Sequence, residues 1–181
     1  ERLTRVRPDD HARVLRMLVK RHRDLGRAKN RAASRLHALL LDLVPGGARF
    51  RMYTVARAKA IIDAVEVADE IGRQRVGIAR ELADDICRLD AQLKASKKRT
   101  ASAVAASGTS LVEVSGVGPI CAAQLIGYTG DIARFATRAH YASYNATAPI
   151  EASSGPTKRH RLNPRGNRQL NWAIHIVAIS Q

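Results

Sequence analysis

Two adjacent serines precede a strongly basic stretch of the sequence. Ser153 and Ser154 lie within Pro149–Arg168, a segment with five Lys or Arg and a single acid, Glu151. A serine hydroxyl attacks another group only when a base, a metal or a lowered pKa activates it. His160 lies six residues after Ser154, but a single histidine beside arginines more often contacts phosphate. Spacing alone therefore leaves open whether this segment only holds nucleic acid or also reacts with it.

The basic residues of this segment are its second feature. They are Lys158, Arg159, Arg161, Arg165 and Arg168, with no acid between the first and the last. They share no single helical face, and the Gly and Pro residues among them predict an irregular loop. Such a loop can surround phosphates with bidentate arginine contacts. We expect these five residues and Asn167 to bind nucleic acid; the alternative is a solvated surface loop.

A second candidate phosphate site is the turn Gly116-Val117-Gly118, which is followed by Pro119. A short apolar helix, a glycine-rich turn and a second helix opened by proline are typical of a helix-hairpin-helix. Glycines let the backbone N–H groups of Gly116, Val117 and Gly118 approach a phosphate at the start of the second helix. The alternative is a tight turn between two packed helices that contacts no ligand.

The composition indicates what kind of partner the chain has. Its formal net charge is +15, from 31 Lys and Arg against 16 Asp and Glu. Such an excess repels itself in a compact particle, which makes a polyanion the expected partner. Aromatic residues make up only 4%, which argues against a binder built on stacked bases. The histidines show no metal-ligand spacing, and we expect no metal site in this chain. We also expect neither a membrane span nor a leader peptide, and therefore a cytoplasmic protein.

The elements that position these residues begin with a long helix. Pro8, Asp9 and Asp10 are typical of a helix start, and the VPGG sequence at Val44–Gly47 ends the pattern. Leucines recur between them in steps of three and four, which predicts a helix of about 36 residues with a coiled-coil seam. The seam comprises Leu15, Leu18, Leu25, Ala32, Leu36, Leu39 and Leu43, with the polar His22 and Lys29 at two of its positions. The two polar residues could set the register or face another chain.

A second long helix is predicted over about 54–97, although Gly72 and Gly77 could interrupt it. Together the two helices predict an antiparallel hairpin, through which the chain would form a homo-oligomer. The small polar residues of Lys97–Ser110 are typical of a linker. Beyond them the sequence predicts short helices. We therefore expect an all-α fold with a helical hairpin over 1–100 and a compact helical domain over 101–181.

Four blocks of the C-terminal half occur in a fixed order. They are Gly116–Pro119, Gly130–Phe135, Ala148–Gly155 and Arg165–Asn167. This succession resembles the C-terminal transposase domain of insertion-sequence transposases of the "one-ten" type, which are recombinases guided by a bridge RNA. The helix with the sequence LRMLVKRHRDLGRAKNRAASRLHALLLDL also resembles the segment that precedes this domain in the family. The resemblance therefore extends over nearly the whole chain.

The resemblance implies a function for the serine pair. The family's Ala-Pro-x4-Ser-Gly element places the nucleophile at Ser154, with Ser153 as the less favoured neighbour. In the family this serine attacks a DNA phosphodiester and forms a covalent protein–DNA intermediate. We expect Lys158, Arg159 and Arg161 to neutralise charge on the attacked phosphate, a role assigned by their charge and not by the resemblance.

The resemblance also implies partners. An acidic ribonuclease-H-like domain that binds Mg²⁺ lies N-terminally in the family, and no segment of this sequence matches it. We therefore expect that domain to be missing here and this chain to have no recombination activity alone. DNA and a guide RNA are the implied nucleic acids, in a bacterial cytoplasm at the nucleoid.

Two other functions are compatible with the same residues. A non-catalytic helix-hairpin-helix module would bind DNA through its glycine turn and basic loop without using Ser154. A structural coiled-coil adaptor would use its charge only for solubility. Loss of the Ser154 hydroxyl would not change the activity of a DNA-binding module. A coiled-coil adaptor would show no salt-dependent binding to nucleic acid.

Overall fold

A computed structural model describes residues 10–44 and 54–181. The α-helices in these ranges are α1 (His11–Leu43), α2 (Val55–Ala64), α3 (Glu70–Ala106), α4 (Pro119–Thr129), α5 (Arg138–Tyr144) and α6 (Arg168–Ile179). Two three-residue 3₁₀ helices, Leu111–Glu113 and Ile132–Arg134, lie on either side of α4. Two short antiparallel strands are β1 (Ile150–Glu151) and β2 (His160–Arg161). The described chain is mostly helical, which confirms the predicted all-α class apart from this small sheet.

The first helix, α1, begins at His11, directly after Asp10. The Asp10 Oδ1 atom accepts a hydrogen bond from the Arg13 N–H at 2.9 Å, which satisfies a donor of the first turn. The predicted start at Pro8 and Asp9 and most of the VPGG turn lie outside the described residues. None of the helices in the described ranges is long and apolar enough to cross a membrane.

The buried stripe of α1 differs in detail from the predicted seam. Its fully buried apolar residues are Leu15, Val19, Leu25, Ala32, Leu36 and Leu40. Val19 and Leu40 are buried at the places where the heptad pattern predicted Leu18 and Leu39, which are only half-buried. The stripe thus follows the 3.6-residue period of a straight helix more closely than a strict heptad does.

The helical unit, Arg21–Ser96, is one of two compact parts of the chain. Its core consists of Ala32, Leu36, Leu40, Ala58, Ile62, Val76, Ala79, Ala83 and Ile86. The Lys29 Nζ atom pairs with Asp90 Oδ1 at 2.6 Å, and Arg75 lies 3.9 Å from Asp42. Later residues of α1 therefore meet earlier residues of α3, so the two helices run antiparallel, as the predicted hairpin requires.

The polar residues at the predicted seam face α3 of the same chain. The His22 Nδ1 atom lies 3.3 Å from Ser96 Oγ, within hydrogen-bond distance. Lys29 forms its ion pair with Asp90. Because the partners of both residues come from α3, the polar positions set the register of this helix pair.

The predicted second helix over 54–97 begins where expected, at α2, but it is interrupted after Ala64 and ends later than predicted. Residues 65–69 separate α2 from α3, and the Asp69 Oδ1 atom accepts a hydrogen bond from the Gly72 N–H at 2.6 Å at the start of α3. The predicted linker Lys97–Ser110 is also wrong, because α3 continues to Ala106. Thr100 and Val104 are buried there, so tertiary packing stabilises the helix through this stretch.

The C-terminal unit comprises the described residues up to Lys20 together with Lys97–Gln181. Its buried cluster is Leu15, Val19, Val104, Val117, Cys121, Ala122 and Ala123. In this unit α4 packs on α6, which buries Leu170 and Ala173 completely. The first turns of α1 are thus grouped with the C-terminal elements, while the division at residue 100 remains a prediction made from the sequence.

Candidate nucleic-acid interface

The serine pair lies on a β-hairpin. In its register Ile150 pairs with Arg161, Glu151 with His160, and Ser154 with Thr157. Between the last two of these pairs, the Ala152 N–H donates a hydrogen bond to the Arg159 carbonyl at 2.8 Å. The predicted irregular loop is therefore wrong for 150–161. Only two residues of each chain segment have regular strand geometry, which is why no strand pattern was visible in the sequence.

The turn of this hairpin consists of Gly155 and Pro156. The φ angle of Gly155 is +63°, a value that favours glycine. Proline fixes its own φ near −65°. This negative φ excludes a type I′ turn, in which both central residues need a positive φ. The pair therefore forms the two-residue turn of type II′, whose twist matches that of the strands. Ser154 is the last residue before this turn.

The register separates the two serines. Side chains alternate between the faces of a hairpin, so Ser154 shares a face with its partner Thr157 and with Arg159 and Arg161. Ser153 belongs to the opposite face, with Lys158 and His160. The Ser153 Oγ atom accepts a hydrogen bond from the Arg159 N–H at 3.2 Å, so this hydroxyl helps to hold the hairpin closed.

Ser154 is exposed, and its hydroxyl has no hydrogen-bond partner among the described residues. His160 is on the other face of the hairpin, so the register excludes it as a base for Ser154. Within ranges 10–44 and 54–181, no group of three or more His, Cys, Asp or Glu side chains could hold a metal ion. Among the described residues, the Ser154 hydroxyl therefore has neither a hydrogen-bonded base nor a metal-ligand cluster that would activate it.

The predicted phosphate-binding cations all follow this serine in the sequence. Lys158, Arg159, Arg161, Arg165 and Arg168 are all exposed. None of them forms an ion pair with another described residue. Five unpaired cations within eleven residues produce a positive potential that attracts a polyanion. Arg168 is also the first residue of α6, where the helix dipole adds partial positive charge.

Two residues of the Arg165–Asn167 block have a structural role. The Asn167 Oδ1 atom accepts hydrogen bonds from the Gln169 and Leu170 N–H groups at 3.1 and 3.2 Å, and it thereby caps α6. A Cβ atom on Gly166 would lie 2.7 Å from the Ala146 nitrogen. This block therefore packs against the residues that follow α5. The role of Asn167 in nucleic-acid binding stays a prediction.

An arginine stack orders the Gly130–Phe135 block. The Asp131 Oδ1 atom accepts a hydrogen bond from the Ala133 N–H at 2.9 Å and begins the 3₁₀ helix that ends at Arg134. The Arg134 guanidinium lies 4.5 Å from the ring centroids of both Phe135 and Tyr144. Such cation–π contacts hold the planar guanidinium in place. The sequence pattern identified this block but indicated no role for Arg134.

Tyr144 connects the arginine stack to the cap of α6. Its hydroxyl donates to the Tyr128 carbonyl at 3.1 Å and lies 3.3 Å from the Asn167 Nδ2 donor. Burial raises the pKa of the Tyr144 phenol, but hydrogen bonds from Asn167 and Arg134 and the charges of Arg134 and Arg16 outweigh it. The pKa of Tyr144 therefore lies below its ordinary value.

The Gly116–Gly118 turn joins a three-residue 3₁₀ helix to α4, and these two elements contact each other. The helix-hairpin-helix assignment stays a prediction. Gly116 has a φ of +79°, and a Cβ atom there would lie 3.1 Å from the Val177 carbonyl oxygen. The side chain of Val117 is buried, and its N–H donates to the Val114 carbonyl at 3.0 Å.

Gly118 is the most open residue of this turn. It is exposed, precedes α4 as its N-cap residue, and has open space where a side chain would be. Pro119 follows in the first turn, as predicted. The first two residues of the turn thus pack inward, and the phosphate-binding role of all three stays a prediction.

An exposed serine among unpaired cations, on a hairpin held by a polar network, defines a candidate surface for binding and handling phosphate groups. Residues 108–181 match the model of the Transposase IS116/IS110/IS902 family. A stretch of 71 residues is also 42% identical to the uncharacterized 43.6 kDa protein of insertion element IS110 from Streptomyces coelicolor. That stretch is 39% of this chain and 18% of the relative's length. The C-terminal residues are therefore similar to a family of transposases.

Proposed function

We propose that the C-terminal unit is the serine-bearing half of a DNA transposase active site, in which Ser154 attacks a DNA phosphodiester. The observation that carries the proposal is the position of Ser154. It is exposed beside the turn of a hairpin whose cations are unpaired, inside the stretch that matches the transposase family. A serine beside an exposed turn can meet a DNA backbone that a buried serine could not reach.

The proposed step forms one bond and breaks one. The Ser154 Oγ atom bonds to phosphorus while the P–O bond to one deoxyribose breaks. The products are a serine–DNA phosphodiester and a strand that ends in a free hydroxyl. The serine proton passes to a base, and the departing oxygen gains a proton from an acid. Attack by the hydroxyl of another strand reverses the step, so strand exchange conserves the number of phosphodiester bonds.

We propose that the acid and the base come from outside the described residues, because none of these forms a hydrogen bond with the Ser154 hydroxyl. These residues do not fit a Mg²⁺ ion, because they contain no cluster of possible metal ligands. We therefore propose that an acidic domain, in the same or another protomer, activates Ser154. A guide RNA and a homo-oligomer formed through the helical unit belong to the same proposal.

Arg159 is the residue best placed to hold the attacked phosphate. In the hairpin register Ala152 is opposite Arg159 and Ser154 is opposite Thr157, so Ser154 and Arg159 are diagonal neighbours on one face. Diagonal neighbours are about 7–8 Å apart, a distance that a long arginine side chain spans. A guanidinium there would stabilise the negative charge that develops on the phosphate. Lys158, on the other face, provides a matched control.

The proposal is tested in a protein that contains this chain together with the acidic domain. Ser154→Ala is expected to abolish strand exchange and the covalent protein–DNA species, because it removes the oxygen that bonds to phosphorus in the proposed step. DNA affinity is expected to stay within about twofold, since a neutral hydroxyl contributes little to phosphate binding. The matched control is Ser153→Ala, which should retain strand exchange. Loss of activity only in the control would contradict the assignment.

The two faces of the hairpin are compared by neutralising one cation on each. Arg159→Gln is expected to slow strand exchange by about 10²-fold, the effect of removing one transition-state charge contact. Lys158→Gln should have a clearly smaller effect on the rate at the same DNA occupancy. An equal loss of strand-exchange rate in the two variants would mean that both cations attract DNA and neither positions the phosphate.

Two further outcomes separate this proposal from its alternatives. The present chain, mixed with target DNA and Mg²⁺, is expected to form no covalent adduct. A Ser154-dependent adduct formed by this chain alone would show that no second domain is needed. Full strand exchange by the Ser154→Ala protein would instead favour a C-terminal unit that only binds DNA.

A further inference from the structure

A second cationic surface lies on α1, within the helical unit. Arg27, Arg31 and Arg35 follow one another at intervals of four residues, which places them on one face of the helix. All three are exposed. Because each interval rises about 6 Å along the axis, the three residues cover about 12 Å of helix. We call these three residues the α1 arginine row.

The arginine row has no partner among the described residues. None of its members forms an ion pair or a side-chain hydrogen bond there. Several other cations of the helical unit do form ion pairs, for example Lys29 with Asp90 and Lys59 with Asp84. Like charges four residues apart destabilise a helix. The row therefore reduces helix stability unless an external anion compensates for it.

The neighbours of the row favour a nucleic acid over a protein partner. Asn30 and Ser34, which lie between the arginines on the outward side, are exposed and polar. The centre of a protein–protein interface is typically apolar and aromatic, and this surface offers neither. Guanidinium groups match phosphate groups by charge and geometry.

We propose that the α1 arginine row binds the phosphate backbone of a nucleic acid without reading its bases. The row contains only cationic donors at regular spacing, and such contacts fix a backbone but carry no sequence information. This surface belongs to a different compact unit from Ser154. It is a second nucleic-acid contact, and it does not depend on whether Ser154 reacts.

The test compares two triple variants of this chain that change the net charge equally. R27Q/R31Q/R35Q removes the arginine row. R73Q/R80Q/R88Q removes three cations of the same unit that are paired with acids. Glutamine and arginine have similar helix propensities, so both variants should keep the helical content measured by circular dichroism. Binding is measured by fluorescence anisotropy on a 30-base-pair DNA duplex and on the RNA duplex of the same sequence, between 50 and 200 mM salt.

The arginine-row variant is expected to lose affinity and to reduce the slope of log K against log salt by up to about 2.7, from three phosphate contacts. The paired-cation variant should change that slope much less. The single variant Arg31→Gln should lower the slope by about 0.9, which preserves the test if the triple variant folds poorly. The nucleic acid that the arginine row binds is then the duplex, DNA or RNA, whose affinity falls more in this variant.

Three results would overturn the proposal. An unchanged slope in the arginine-row variant would show that the row contacts no phosphate. Equal losses in both triple variants would show that net charge alone attracts the duplex. If only self-association, measured by sedimentation, responded to the loss of the row, its partner would be a second copy of the chain.

Discussion

The helical unit and the C-terminal hairpin use their cations differently. In the helical unit Lys29, Lys59 and Arg80 are each paired with an aspartate of a neighbouring helix. On and after the hairpin, the five cations from Lys158 to Arg168 are exposed without an ion-pair partner among the described residues. Outside the α1 arginine row, several cations of the first region are neutralised within the protein, whereas the five cations of the second are available to a ligand.

The polar contacts that hold the second region in place come from uncharged groups. The Asn167 side chain caps α6, and the Tyr144 hydroxyl donates to the Tyr128 carbonyl. Asn163 donates to the Ser143 carbonyl at 3.1 Å. Because the neighbouring cations are not needed for these contacts, they can bind a phosphate without weakening the fold. This separation predicts that binding and stability respond to different substitutions.

The largest expected effect is on DNA affinity. Replacing Lys158, Arg159, Arg161, Arg165 and Arg168 by Gln should lower the slope of log K against log salt by up to about 4.5. The midpoint of thermal unfolding should change little, since none of the five charges is paired within the described fold. Anisotropy titrations and a thermal melt on the same sample measure both quantities. A large fall in the midpoint would show that these cations support the fold after all.

The next effect is on stability. Gly166→Ala places a Cβ atom 2.7 Å from the Ala146 nitrogen, so the backbone of the α5 end has to move. Overpacking of this kind destabilises a fold by about 1–3 kcal/mol. Chemical denaturation measures it, with Gly118→Ala as the control, because open space surrounds that position. Equal stability of the two variants would contradict the close approach of Gly166 to Ala146.

A smaller loss of stability is expected from the cap of α6. Asn167→Ala removes the acceptor for the Gln169 and Leu170 N–H groups, which should cost about 0.5–2 kcal/mol of unfolding free energy. Asn167→Asp keeps the acceptor and serves as the matched variant. If the alanine variant lost DNA affinity but no stability, Asn167 would be a ligand contact and not a cap.

The smallest effect is expected from an exposed pair of the helical unit. The hydrogen bond and the charge of Asp84 raise the pKa of Lys59 above its ordinary value. A raised lysine pKa contributes stability that is present below the unfolded-state pKa and is lost as pH rises through the folded-state value. Asp84→Asn should therefore remove a slight alkaline pH dependence and change the midpoint at neutral pH very little. A large shift of the unfolding midpoint at pH 7 would show that the Lys59–Asp84 pair contributes substantially to stability.

The helical unit was largely predictable from the sequence. The apolar periodicity of α1 indicated its length, and Asp10 marked its first turn. The break before α3 was missed, although Asp69 is a typical N-cap residue. The false linker at 97–110 shows a different limit. Small residues such as Ala101 and Ser102 are compatible with both helix and linker, and the burial of Val104 by distant residues decides between them.

The candidate site was predictable in composition but not in geometry. The Ser154-Gly155-Pro156 sequence and the following cations indicated a turn and a phosphate-binding segment. The assignment of Arg159 to the Ser154 face depends on strand register, which two-residue strands do not reveal in a sequence. The hydrogen bond from Asn167 to the Tyr144 hydroxyl and the stacking of Arg134 on Tyr144 join residues that are 23 and 10 positions apart in the chain, respectively. Only the folded arrangement of α5 and α6 defines them.

The central claim is that Ser154 carries the DNA during strand exchange. The most direct test traps the covalent protein–DNA species from a protein that contains this chain and the acidic domain, and maps the modified peptide by mass spectrometry. We predict that the nucleotide remnant is on Ser154, and that Ser153→Ala leaves it there. A remnant on Ser153, on a tyrosine such as Tyr144, or on no residue of 108–181 would contradict the account.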